Sequence, residues 1–93
     1  MRAVWKDQVL AESSETVIVE GNHYFPAESM NKGHFSPCEK SSSCPWKGAA
    51  SYYDVVVDGD TNEGAAWYYP DAKEKAKHIE GMVALWRGVE IVD

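Results

Sequence analysis

The sequence predicts a mainly β fold: a small antiparallel β-barrel or β-tent-like sheet of about six to eight short strands, with one short helix near residues 71–80. Three observations carry this. Runs rich in β-branched and aromatic residues recur, "TVIV" (16–19), "SYYDVVV" (51–57) and "AWYY" (66–69), and such side chains suit a pleated, half-buried surface. Turn-forming pairs separate the runs: Gly21-Asn22, Asp58-Gly59 and Arg87-Gly88. Only one stretch spaces its apolar residues as a helix does, at Ala72, Ala76, Ile79 and on to Val83, with Lys73 and Lys77 on the wet side.

Each element follows in order. "AVWKDQVLAE" (3–12) reads as a hairpin, turned by the polar "KDQ" and restarted by Val9 and Leu10. "ETVIVEGNHYFP" (15–26) is a second strand pair or one bent strand, broken at Gly21-Asn22 and ended by Pro26. "AESMNKG" (27–33) has room for one helical turn closed by Gly33. "SPCEKSSSCP" (36–45) is expected to be a polar loop between two prolines, because serines and charges build no core. "AASYYDVVV" (49–57) is a strand that ends in "DGDTNEG", a loop longer than a tight hairpin, and the chain returns through "AAWYYP" (65–70). Asp71 is the expected N-cap of the helix, Glu74 its capping-box partner and Gly81 its stop. "MVALW" (82–86) and "VEIV" (89–92) close the chain as a last hairpin around Arg87-Gly88.

Ninety-three residues make a single domain, 1–93. Four Trp, five Tyr and two Phe enlarge a modest core, since each aromatic buries roughly 150–250 Å². Nine basic against fifteen acidic residues leave a net charge of −6. No basic patch forms, so a nucleic-acid partner is not expected. No apolar run approaches the roughly 20 residues of a membrane span, and "MRAVWKDQVL" is no signal region. A soluble cytoplasmic protein without a membrane partner is expected, with Cys38 and Cys44 both reduced.

Four groups of residues carry candidate chemistry. Cys44 stands before Pro45 with Lys47 three residues on, a charge placed to hold a thiolate, and His23 or His34 is a candidate base. The plainer reading of Cys44 is a small buried hydrophobe. Cys38 and Cys44 with His23 and His34 offer four zinc donors, but the five-residue gap between the cysteines is not that of a zinc knuckle, and no metal is expected. A Cys38–Cys44 redox bridge is the other use of the pair. Adjacent aromatics in "SYYD" and "WYYP" put Tyr52 or Tyr53, and Trp67, Tyr68 or Tyr69, on opposite faces of their strands. Some then pack the core while others line a groove or an interface. "DGDTNEG" contains part of a calcium loop but not its remaining ligands, and reads as a turn.

The segments "HYFP" (23–26), "CPWKGAASYYDV" (44–55), "AAWYYP" (65–70) and "IEGMVALW" (79–86) occur in this order. They resemble those of a bacterial domain-of-unknown-function family, number 427, which also carries a nucleotidyltransferase-like heading. The resemblance spans nearly the whole chain and implies a small domain of the β-tent type. Other β-tent proteins, such as methionine sulfoxide reductase B and Yippee-type proteins, hold zinc on cysteine pairs. This chain lacks those pairs, so no metal or other cofactor is carried over. The heading suggests phosphate chemistry, yet there is no Gly-rich phosphate loop and no paired carboxylates on a strand for magnesium.

The matching positions are Cys44, Trp46, Lys47, Gly48, Tyr24, Trp67 and Tyr69. The expectation is a small-molecule- or partner-binding domain, with an anionic small molecule among the candidates. Tyr24, Trp46, Trp67 and Tyr69 would line its groove, with Cys44 and Lys47 at one end. The alternatives are a small enzyme using Cys44 as nucleophile or redox thiol with Lys47 in support, and an interaction module or homodimer built on the aromatic face.

Overall fold

The computed structural model describes residues 1–93. It contains nine strands: β1 (Arg2–Trp5), β2 (Gln8–Glu12), β3 (Val17–Val19), β4 (Asn22–Tyr24), β5 (Phe35–Cys44), β6 (Gly48–Val57), β7 (Asp60–Tyr68), β8 (Val83–Leu85) and β9 (Glu90–Val92). They form three antiparallel sheets, in the orders β2-β1-β9, β3-β4 and β5-β6-β7-β8. The sheets do not close into a barrel. A pair of hydrogen bonds between Phe25 and Val83, 2.8 and 2.9 Å, ties the β3–β4 hairpin to the four-stranded sheet.

Two-residue turns set the hairpin registers. Lys6-Asp7, Glu20-Gly21 and Asp58-Gly59 each have positive φ at both positions, between register pairs Trp5↔Gln8, Val19↔Asn22 and Val57↔Asp60. That is the twist a tight hairpin requires. The "DGDTNEG" segment is therefore a two-residue turn with the strand resuming at Asp60, not the longer loop expected. Asp54 accepts the Gly64 N–H at 2.9 Å where the β6–β7 register shifts.

Strand alternation divides the core in two. Tyr53, Val55 and Val57 of β6 and Val83 and Leu85 of β8, with Ala65, Ala66 and Phe25, pack against Ala3, Leu10 and Ala11 of the β2-β1-β9 sheet. Ala50, Ala84 and Tyr69 face the other way, onto Tyr24 of the β3–β4 hairpin and onto Ala72, Ala76 and Ile79. The neighbours Tyr24 and Phe25, both fully buried, thus serve different clusters.

Three further expectations are corrected. Residues 36–45 are not a loop: Phe35–Cys44 pair along β6 with a bulge between Cys38 and Ser41. The strand is mostly exposed and lies at the sheet edge, so it carries no apolar alternation. Pro37, the bulge and the charged Lys40 blunt that edge against further pairing.

The last hairpin does not form either. β8 pairs with β7, and Arg87-Gly88 turns the chain away so that β9 pairs with β1, Ala3 facing Ile91. The helix, finally, is a 3₁₀ helix over Glu74–Ile79 with no side-chain cap. Lys73 stays extended because its N–H donates to Lys47 O at 3.0 Å. Asp71 pairs with Lys77 instead, and Glu80 accepts the Ala72 N–H. The "AESMNKG" segment holds two short 3₁₀ turns, Ala27–Ser29 and Lys32–His34. No helix is long and apolar enough to cross a membrane.

Candidate ligand-binding cleft

The β5–β6 hairpin turns through Pro45, Trp46 and Lys47, with Cys44 opposite Gly48. Gly48 has φ +111°, a conformation that L side chains rarely adopt. The segment before the 3₁₀ helix clamps this turn. Lys73 donates its N–H to Lys47 O and its ammonium to Pro45 O at 2.8 Å. With the backbone so held, the Lys47 side chain is directed inward. It is only 7 % exposed and ion-paired to Glu20. Its ammonium lies 4.7 Å from the Trp46 ring centroid and 5.9 Å from that of Tyr69, so cation–π attraction supplements the ion pair.

Glu20 reaches it from the β3–β4 turn. A glutamate at φ 54° is disfavoured in the left-handed region, by about 1–2 kcal/mol. The hydrogen bond to Lys47 is the main influence on the Glu20 carboxyl and holds it below the ordinary carboxylate range. Burial alone would lower the Lys47 amine, but the hydrogen bond to Glu20 and nearby negative charge outweigh it and raise it.

Beside this pair opens a cleft of about 330 Å³. Tyr24, Tyr52, Trp67, Tyr69 and Trp86 form its walls, and Glu20, Asn22 and Lys47 its polar end. Trp67 is the centre of the wall. Its ring meets Tyr24 and Trp86 edge-on, at 6.2 and 5.6 Å, and its Nε1–H donates to the Tyr24 hydroxyl at 3.2 Å. Trp86 is fixed by Nε1–H donation to Gly64 O at 2.7 Å. Burial pushes Tyr69 up to about 12 and raises Tyr24 as well, so both phenols stay neutral donors. Lys40 lies over Tyr52 and Trp86, and Arg87 over Trp86. Lys47 is the cation and Glu20 the carboxylate among the residues that line the cleft.

The sequence-predicted residues divide. Tyr24, Lys47, Trp67 and Tyr69 meet in this cleft. Trp46 does not line it and instead stacks under the Lys47 ammonium. Cys44 lies in a separate depression of about 270 Å³ with Ser43, Pro45, Gly48, Ala49 and Lys73. Burial raises its thiol pKa, and backbone N–H groups of Trp46 and Lys47 with the Lys47 charge outweigh that, so the net shift is downward. Neither histidine lines that depression: His23 bonds Thr16, and His34 donates to Val56 O.

Cys38 and Cys44 are both free and sit six residues apart on one extended strand. That separation is roughly 20 Å, while a disulfide needs Cα atoms within about 7 Å. No group of three or more His, Cys, Asp or Glu side chains is placed to hold a metal ion. Residue pattern does not mark Glu20, Asn22 or Trp86 as part of a site. Glu20-Gly21 after a β-branched run is the one available signal for a turn bearing a carboxylate.

The fold and this cleft define a small antiparallel β domain with an aromatic pocket bounded at one end by a buried lysine paired with an exposed glutamate. The model of a family described as a domain of unknown function (DUF427) matches residues 1–93, and the chain belongs to that family. No curated protein matches it.

Proposed function

We propose that this chain is a binding domain for a small molecule with a flat apolar body and an anionic group. The body lies among Tyr24, Tyr52, Trp67, Tyr69 and Trp86, and the anionic group turns toward Lys47. The observation that carries this reading is a buried lysine at the end of an aromatic cleft, its charge balanced only by a carboxylate from an exposed turn. A lysine that merely decorated a surface would be solvated, and a core position would be apolar. Lys40 and Arg87, which lie over the Trp86 ring, favour the same sign of ligand. Two free thiols and the acidic balance suit the cytoplasm and a partner that is neither nucleic acid nor membrane.

Three naphthalene probes test the reading in an NMR titration: 2-naphthoate, the neutral 2-naphthamide and the cationic 2-naphthylmethylamine. The carboxylate is expected to bind best and to shift the Trp67 and Trp86 indole N–H signals. Trp67→Ala is expected to abolish binding, and Lys47→Met to remove the preference for carboxylate over amide. Tighter binding of the cation, or no binding by any probe, rejects the reading.

A second reading is thiol chemistry at Cys44, favoured by the N–H groups of Trp46 and Lys47 aimed at its sulfur. The site would then be the smaller depression beside Lys73 and not the aromatic cleft.

A further inference from the structure

We propose that Glu20 is a displaceable internal anion: its carboxylate occupies the place on Lys47 that the ligand's anionic group takes, and the β3–β4 turn gates the cleft. This rests on the binding reading above and specifies how the site exchanges one anion for another.

A buried ammonium requires an anionic partner, because leaving it unpaired in a poorly solvated place is expensive. Lys47 has one ion-pair partner, Glu20. The two ends of this pair differ in mobility. Lys47 is held on both flanks, by the Gly48 turn and by Lys73. The Glu20 side chain is 56 % exposed and contacts the body of the protein through Lys47, with a lesser hydrogen bond from Trp46.

Its turn belongs to a two-stranded sheet in which β3 pairs with β4 alone. Backbone hydrogen bonds join the hairpin to the rest of the fold at Phe25, at the far end of β4 from the turn, while Val17, Val19 and Tyr24 pack on the second core cluster. The tip can swing outward without breaking a hydrogen bond of the four-stranded sheet. The left-handed φ of Glu20 adds strain that the ion pair offsets in the closed state.

Nothing else near the cleft competes for this role. Lys40 and Arg87 make no ion pair, and Asp54 is engaged by the Gly64 N–H. When a ligand carboxylate arrives, one anion replaces another on Lys47. The charge of the buried end is unchanged, and Glu20 gains full solvation.

The experiment is calorimetric titration of the full chain with 2-naphthoate and, separately, 2-naphthamide, using wild type, Glu20→Gln and Glu20→Ala. If the pair is closed about nine-tenths of the time, removing the competing carboxylate tightens 2-naphthoate binding about tenfold. The amide, which does not compete for Lys47, should gain nothing. The Glu20 and Gly21 amide signals of the wild type should move as 2-naphthoate binds.

Unchanged or weakened 2-naphthoate affinity in both variants overturns the gate and leaves the binding function standing. An equal gain for acid and amide also overturns it, because the turn would then be a steric lid and not a competing anion. Absence of binding in all three proteins removes the function and the gate together.

Discussion

Replacing Gly48 with alanine tests how the Lys47 turn is held. Gly48 has φ +111°, and a Cβ built there lies 3.2 Å from the Asp71 carbonyl oxygen and 3.6 Å from Lys73 N. Two penalties add. The backbone conformation is one that an L residue avoids even more than the left-handed helical region, at about 1–2 kcal/mol or more. The methyl group also presses on backbone atoms that are themselves fixed by the Lys73 N–H bond to Lys47 O, and such overpacking costs about 1–3 kcal/mol. Together they predict a loss of roughly 2–5 kcal/mol, a large part of the 5–15 kcal/mol that holds a typical domain. For a chain of this length that is a fall in Tm of roughly 8–40 °C.

Gly33→Ala is the control. Gly33 has no positive φ, and a Cβ added there would meet nothing within 4 Å, so its replacement should be neutral or stabilise by up to about 1 kcal/mol. Urea unfolding followed by tryptophan fluorescence measures both variants. If Gly48→Ala and Gly33→Ala unfold at the same midpoint, the turn does not depend on the glycine, and Lys47 is directed inward by something else.

Two further outcomes follow from the electrostatics. Glu20 titrates below its ordinary value of 4.5 in the folded protein. Its contribution is therefore present above that value and is lost as pH falls through the lower, folded one. The stability difference between wild type and Glu20→Gln should accordingly shrink below about pH 4; a difference that persists undiminished to pH 2 contradicts the ion pair. Lys47 titrates above 10.5, so its share is complete below that pH and disappears as pH rises through the folded value. Cys44 is the other case. In a Cys38→Ser background its iodoacetamide alkylation should follow a thiol pKa lowered from the ordinary cysteine value, and Lys47→Met should move the curve upward; a curve insensitive to Lys47 excludes its charge as a cause.

Much of this fold is local and legible as such. The strands over 3–12, 49–57 and 65–69, and the hairpin over 15–24, follow from alternation and from turn pairs that need positive φ. Both are properties of a few adjacent residues. Tyr24, Lys47, Trp67 and Tyr69 are also legible, though from motif resemblance and not from any spacing that reveals a shared cleft. What the pattern misses is just as specific. β5 is a polar strand because an edge strand with both faces in water needs no apolar residues; its hydrogen bonds to β6 define it. Asp71 has the look of a helix cap, but Lys73 is held extended by a carbonyl 26 residues earlier.

By itself, then, the sequence determined a mainly β chain, the hairpins over 3–12 and 15–24 and an acidic net charge, since period-two patterning and turn chemistry act between neighbours. Only the tertiary structure decided that β9 joins β1, that Cys44 stands outside the cleft, and that Lys47 is buried against Glu20, 27 residues away. Those outcomes depend on which distant segments meet. A lysine in "CPWKG" reads the same whether it faces water or a carboxylate brought from another hairpin, and packing makes that choice.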